Sequence, residues 1–433
     1  MDQSSGFSLI NPQKLTPIGV LLAACVAWGA FYFLAPIGLY RAGSDYPYLI
    51  LGGCLIGLLL GLAVFEPGTN ATPPMRPADL HRTLKQIYEI SFVIGMIGIS
   101  LRVADWVFLR GLSIDTEFLK NREKIESAGT NAFAMASIIM IPFSIVPYMI
   151  HAVAKRNGER VGHAWKAIGL ATLWPILTIV IGSRSSMFMS LGMIIISRLV
   201  IFPHTSRKVI ALCCALVIGL IYAGGLIFIE RLQQIGLNVE HVIRLSAFTH
   251  LAPVTQDYFY FASKLPEWGR NTLFIATTFI QYYVHGVPEF AYLVEHYQNA
   301  DQGGTYSFNV LTRLAAILWG VPYDGEAAMF LMPRVGIYTT LFGPFYVDFG
   351  PFTPMFCFAI GALVSWTRRK VLLGDIAALP LYICFVIQVA AAVVINAIQS
   401  AYGIFYDIAF AALWIAIAVA RRRSAAASGA AAT

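Results

Sequence analysis

The chain has 433 residues, of which 58% are hydrophobic and 12% charged, and its mean hydropathy is +0.69. Soluble domains carry about 25% charged residues, so a water-soluble globular class is excluded. The net charge of +7 is dispersed between the apolar runs, a pattern set by membrane topology and not by a nucleic-acid surface.

The apolar runs are long enough for helices that cross about 30 Å of hydrocarbon, and they lack the period of two that a barrel requires. Spans are expected near 17–36, 47–65, 86–104, 131–153, 166–183, 186–203 and 208–229. Three more are expected near 351–367, 376–396 and 405–420. Segments 271–295 and 309–321 are amphipathic enough to lie along the interface or to re-enter the membrane. The fold class is therefore all-α: a polytopic transmembrane helical bundle of about 10–12 spans. Its parts are a membrane bundle over 1–229, a loop region over 230–350, C-terminal spans over 351–423 and a disordered tail over 424–433. The start, MDQSSGFSLINPQKL, lacks a charged leader region and a cleavage site, so the first span is expected to be retained.

Basic residues cluster in short connectors: Arg76 to Lys85, Lys155 to Arg160, Arg207-Lys208, Arg368-Arg369-Lys370 and Arg421-Arg422-Arg423. All fall on one side if the N-terminus is cytoplasmic, as the positive-inside rule asks. Residues 230–350 then lie outside, rich in Tyr, Phe and Trp. Such rings suit the C–H faces of sugars as well as an interfacial belt. The six cysteines sit inside apolar runs and read as small buried hydrophobes with no metal spacing.

Ionisable groups in or beside the bilayer cost roughly 2.5–3.5 kcal/mol each on insertion scales, and so mark candidates for function. Four clusters stand out on the outer side. In the first, Arg102 and Asp105 are i,i+3 neighbours, with Arg110 following. The second is the tight turn Gly182-Ser183-Arg184-Ser185-Ser186, whose guanidinium fork and backbone N–H groups suit a diphosphate. The third, Tyr282-Tyr283-Val284-His285-Gly286-Val287-Pro288-Glu289, offers an imidazole and a carboxylate four residues apart, either of which could take a hydroxyl proton. The fourth runs from Arg334 through Tyr338 to Asp348. Bland alternatives accompany each: a structural ion pair, a snorkelling arginine, a satisfied interfacial histidine, and Asp348 as a helix N-cap. Nucleotide-binding, zinc-protease and serine-hydrolase motifs are absent from the sequence.

The strings LRVADWVFLRGLS (101–113), GSRSSMF (182–188), YYVHGVPEFAYL (282–293) and RVGIYTTLFGPFYVDFG (334–350) resemble Wzy-type oligosaccharide repeat-unit polymerases of bacterial surface polysaccharides. The span pattern and the large late loop resemble that family too. The third string departs from it, since a Gly-Gly or Thr-Gly followed by Ala-Phe is expected there. The resemblance implies a glycosyltransferase of GT-C kind in the bacterial inner membrane, with cytoplasmic termini and a periplasmic active site. Donor and acceptor would be undecaprenyl-diphosphate-linked oligosaccharides, with membrane lipid, a chain-length regulator and export machinery as partners. It implies neither a cofactor nor an obligatory metal. On this expectation Arg184, Arg102 and Arg334 bind the diphosphate, and Glu289, His285 or Asp348 is the base. Asp105, Arg110, Tyr282 and Tyr338 support them. A ligase-like transferase using the same donor, and a flippase or transporter, are the alternatives.

Overall fold

The computed structural model describes residues 15–65, 77–112, 124, 131–180, 184–202, 204–234, 236–245, 247–297, 302–320 and 330–430. The helices are α1 (Pro17–Leu34), α2 (Tyr46–Val64), α3 (Pro77–Ala104), α4 (Ala132–Met140), α5 (Val146–Arg156), α6 (Ala164–Val180), α7 (Arg184–Ile201) and α8 (Arg207–Gln234). There follow α9 (Val239–Leu245), α10 (Gln256–Ser263), α11 (Glu267–Val284), α12 (Gly286–His296) and α13 (Asn309–Trp319). The chain ends with α14 (Phe342–Phe349), α15 (Thr353–Leu372), α16 (Leu379–Ala391) and α17 (Ala401–Ala430). Extended pairing among the described residues is limited to one isolated bridge, Ile37 with Val254.

Among the described residues, seven helical stretches are long and apolar enough to cross a membrane: Pro17–Leu34, Tyr46–Val64, Leu80–Leu109, Ala132–Arg156, Arg207–Gln234, Phe342–Leu372 and Gly403–Arg423. The other three expected spans are shorter apolar helices or fall just under that length. The structure is thus a polytopic helical bundle. Its firmest joint is α2 against α15, where small residues let two backbones touch. A Cβ on Gly57 would run into Pro354 O, one on Gly61 into Phe358 O, and one on Gly361 into Leu58 O. A side chain at any of these positions would force the helices apart.

Proline and composition explain where the expected spans change. The 131–153 span carries Pro142 and Pro147, each lacking a backbone N–H, and a 3₁₀ stretch over Ile141–Ile145 separates α4 from α5. The 376–396 span ends early: α16 stops at Ala391 and irregular backbone follows until α17 begins at Ala401. The tail expected to be disordered is helical to Ala430, because alanine, the strongest helix former, extends a helix already nucleated. Residues 431–433 lie outside the described residues.

Polar contacts sort the connectors into two groups. Gly38 N donates to Pro253 O, Tyr40 N to Leu251 O, Gly43 N to Glu295 Oε1, and Gln399 Nε2 to Tyr306 O. At the opposite end His81 meets Glu159, Tyr88 Oη donates to His163 O, Phe65 N to Ser365 Oγ, and Arg421 pairs with Asp375. Within the described part of 230–350, α11 packs on α1 and α12 on α2.

Candidate functional site

Pro288 shapes the site. It has no N–H for the carbonyl of Val284, its i−4 position, so α11 and α12 separate at His285, which stays in the right-handed helical region. The freed Val284 O accepts the indole N–H of Trp28 at 3.2 Å. Gly286 is required at the break, since a Cβ there would lie 2.6 Å from Val394 O in the irregular segment after α16. Because Glu289 N still donates to His285 O, at 3.0 Å, His285 and Glu289 remain one helical turn apart despite the break.

Arg334 enters from the loop before α14, two residues ahead of Gly336, whose φ of +77° only glycine tolerates readily. Its Nε lies 3.2 Å from Glu289 Oε2, and Nη2 donates to Ala247 O. Glu289 is 2% exposed, and its other oxygen, Oε1, has no hydrogen-bond partner among the described residues. Burial pushes the Glu289 carboxyl up to about 7, against the opposing pull of the Arg334 charge. A buried carboxyl with one free lone-pair face and a titration point near neutrality has the character of a general base.

His285 has a different character. It is fully buried, its Nδ1 donates to Tyr282 O at 2.8 Å, and its ring lies 4.5 Å from Phe248 and 5.4 Å from Tyr282. Burial lowers its pKa to about 4, backbone hydrogen bonds notwithstanding, so the ring is neutral near pH 7. It props the aromatic wall that Tyr282 and the half-exposed Tyr338 complete, their rings 6.4 Å apart and edge-to-face. Tyr292 lies 5.9 Å from the Arg334 guanidinium.

The structure brings Glu289, Arg334, His285, Tyr282 and Tyr338 together and engages Asp348, Asp105, Arg110 and Arg102 in other contacts. Asp348 is in the last turn of α14, and its carboxylate accepts Tyr306 N at 3.0 Å and Ser307 N at 2.7 Å. It caps a turn in another segment instead of heading its own helix, and both oxygens are used. Asp105 heads a π-helical turn over Asp105–Leu109. Both its oxygens accept Arg110 Nε, at 3.0 and 2.9 Å, whereas Arg102 stands 3.5 Å away. The expected i,i+3 pair is therefore the weaker contact, because the wide turn swings Arg110 over Asp105. Asn131 Nδ2 completes the cluster. Arg184 is the first residue of α7; its side chain and residues 181–183 lie outside the described residues.

Residues that the sequence did not single out contribute too: Trp28, Ala247 and Phe248 from segments far from the motif strings. Gln281 Nε2 donates to Ala252 O at 2.9 Å, holding the 247–254 loop against α11. No group of three or more His, Cys, Asp or Glu among the described residues is placed to hold a metal ion. No family model, curated protein or solved structure matches this chain.

Proposed function

We propose that the chain is an inner-membrane glycosyltransferase that joins lipid-diphosphate-linked oligosaccharide repeat units into a polysaccharide on the periplasmic face. The observation that carries this reading is the Glu289–Arg334 pair. It is a buried carboxylate with a free oxygen beside a guanidinium, walled by Tyr282, Tyr338 and Tyr292, at the bundle end away from the basic connectors. In the reaction an acceptor sugar hydroxyl attacks the anomeric carbon of the donor. The bond from that carbon to the lipid diphosphate breaks, Glu289 takes the hydroxyl proton, and the diphosphate leaves with the electron pair. Arg334 offsets charge developing on the leaving oxygen, the preorganised electrostatic contribution that usually dominates catalysis. Arg184 and Arg102 are further candidates for the diphosphate. A single displacement inverts the anomeric centre, so an α-linked donor gives a β bond.

The test is purified protein supplied with a defined lipid-linked repeat. A ladder of products from wild type, lost in Glu289→Gln, supports the reading; a ladder of undiminished yield from Glu289→Gln removes it. Product transferred only to a different acceptor would indicate the ligase-like alternative. The flippase or transporter reading has one observation on its side, a carboxylate, Asp407, inside the last span. Cells lacking the protein separate these two. Loss of a flippase strands single repeats inside, whereas loss of a polymerase leaves single repeats displayed outside.

A further inference from the structure

Asp407 lies in α17 one turn inside the apolar stretch Gly403–Arg423, and Gln388 and Cys384 reach it from α16. Gln388 Nε2 donates to Asp407 Oδ2 at 2.8 Å, and Cys384 Sγ to Oδ1 at 3.2 Å. Both donors are neutral. Gln388 is 3% exposed, yet its Oε1 has no hydrogen-bond partner among the described residues. A part-buried carboxyl group and an amide oxygen without a partner among the described residues thus lie together between two helices, with no positive charge bonded to either.

The surrounding elements supply none among the described residues. α1 and α4 contain no charged residue. The basic residues of α15, Arg368, Arg369 and Lys370, lie in its last turns at the end where Ser365 meets Phe65. On α7, Ser190 Oγ is 3.2 Å from the hydroxyl of Tyr406, the residue before Asp407, whereas Arg198 stacks over Phe202 at the other end of that helix. Arg421, Arg422 and Arg423 of α17 itself sit at the far end of its span, where Arg421 pairs with Asp375.

We propose that Asp407 and Gln388 form an intramembrane site for a monovalent cation, either a proton or an alkali-metal ion. An uncompensated carboxylate in hydrocarbon is costly, and a bound cation removes that cost. With a proton, the carboxyl becomes a neutral acid able to donate to an amide oxygen, after rotation of the Gln388 amide. With a metal ion, Asp407 Oδ and Gln388 Oε1 become two of its oxygen ligands. The site lies beneath the irregular segment 392–400, whose Asn396 donates to Leu341 O and whose Gln399 donates to Tyr306 O. Occupancy therefore bears on how firmly α16 and α17 hold that segment.

Infrared difference spectra of the purified full-length protein, wild type minus Asp407→Asn, test this. If the cation is a proton, a protonated-acid C=O band assigned to Asp407 gives way to carboxylate bands as pH rises, with sodium and potassium chloride having no effect. If it is a metal ion, sodium or potassium makes the same conversion at fixed pH. Gln388→Leu keeps the carboxyl and removes the orphaned oxygen, so it is expected to shift the midpoint of whichever titration is seen. It also serves if Asp407→Asn does not fold. Bands that respond to neither pH nor salt overturn the proposal, and a permanent carboxylate would point to a fixed counter-charge. Such a failure leaves the Glu289–Arg334 reading untouched.

Discussion

Trp28 Nε1 donates to Val284 O, the carbonyl that Pro288 leaves without a helical partner. One side chain of the first span thereby fixes the break on which Glu289 is presented. Trp28→Phe keeps the ring and removes the donor, leaving a buried carbonyl unsatisfied, which typically costs about 1–3 kcal/mol. Pro288→Ala restores an N–H that can reach Val284 O, so Trp28→Phe is expected to cost less in that background. Thermal unfolding in detergent of the wild type, both single variants and the double variant closes the cycle. Additive effects would mean that the two residues do not share this carbonyl.

Arg334 and Glu289 predict a pH profile. Glu289 acts as a base when ionised, so activity is expected to rise with pH through about 7. Arg334→Gln removes the charge that holds the carboxyl down, so its midpoint is expected to move higher as well as its maximum rate to fall. Rates of product formation across pH measure both. A profile unchanged by Arg334→Gln would show that another group sets it.

Stability has opposite pH trends at the two groups. The folded-state Glu289 pKa is raised to about 7 from the ordinary glutamate value of 4.5, so between those values the folded state binds more protons. Its contribution to stability is lost as pH rises through that window. His285 is lowered from 6.5 to about 4, so the unfolded state binds more protons there, and its contribution is lost as pH falls from 6.5 toward 4. Glu289→Gln is therefore expected to flatten the loss toward neutral pH, and His285→Phe the loss toward acid. Unfolding midpoints at several pH values, compared with wild type, check each slope separately.

The site was legible where chemistry stands out in one stretch of chain. Tyr282, His285 and Glu289 share a string, and a buried carboxylate beside a proline break is conspicuous. Their partner Arg334 was visible as an unusual charge, but its pairing with Glu289 depends on the path of a loop, which no periodicity encodes. Asp348 looked equivalent to Glu289 in sequence; only the approach of Tyr306 N and Ser307 N distinguishes a consumed carboxylate from one with a free oxygen. Trp28 and Phe248 carry no charge and resemble belt aromatics, so nothing marked them. Asp407 was findable, since an acid within an expected span meets the rule used to choose the four outer clusters. Spans were legible from hydropathy alone, whereas their ends moved with proline and with tertiary contacts such as Leu341 N to Ala392 O.

Asp348 and Glu289 should separate by phenotype. Asp348→Asn replaces one acceptor oxygen by an N–H₂ facing a backbone N–H, so it is expected to lower the unfolding temperature and the amount of folded protein. The turnover of what folds should stay close to wild type. Glu289→Gln should do the reverse, with near-normal folding and lost turnover. Yield, unfolding midpoint and rate per folded molecule measured together decide the assignment. A stable but inactive Asp348→Asn would return that residue to the list of bases.

Arg184 carries the last prediction. A lysine there keeps the charge but has one compact donor head in place of the planar fork that grips two phosphate oxygens at once. If Arg184 binds the diphosphate, Arg184→Lys is expected to abolish polymer in cells while membrane insertion is unchanged. Gly61→Leu is the contrasting control. Its side chain would meet Phe358 O across the α2–α15 joint, so no folded protein should accumulate. Gly52→Ala, with nothing within 4 Å of the added carbon, should behave as wild type. Polymer length on gels, read beside protein level in the membrane fraction, separates loss of chemistry from loss of fold. Polymer of normal length from Arg184→Lys would take the fork out of the mechanism and leave Arg334 as the guanidinium facing the leaving group.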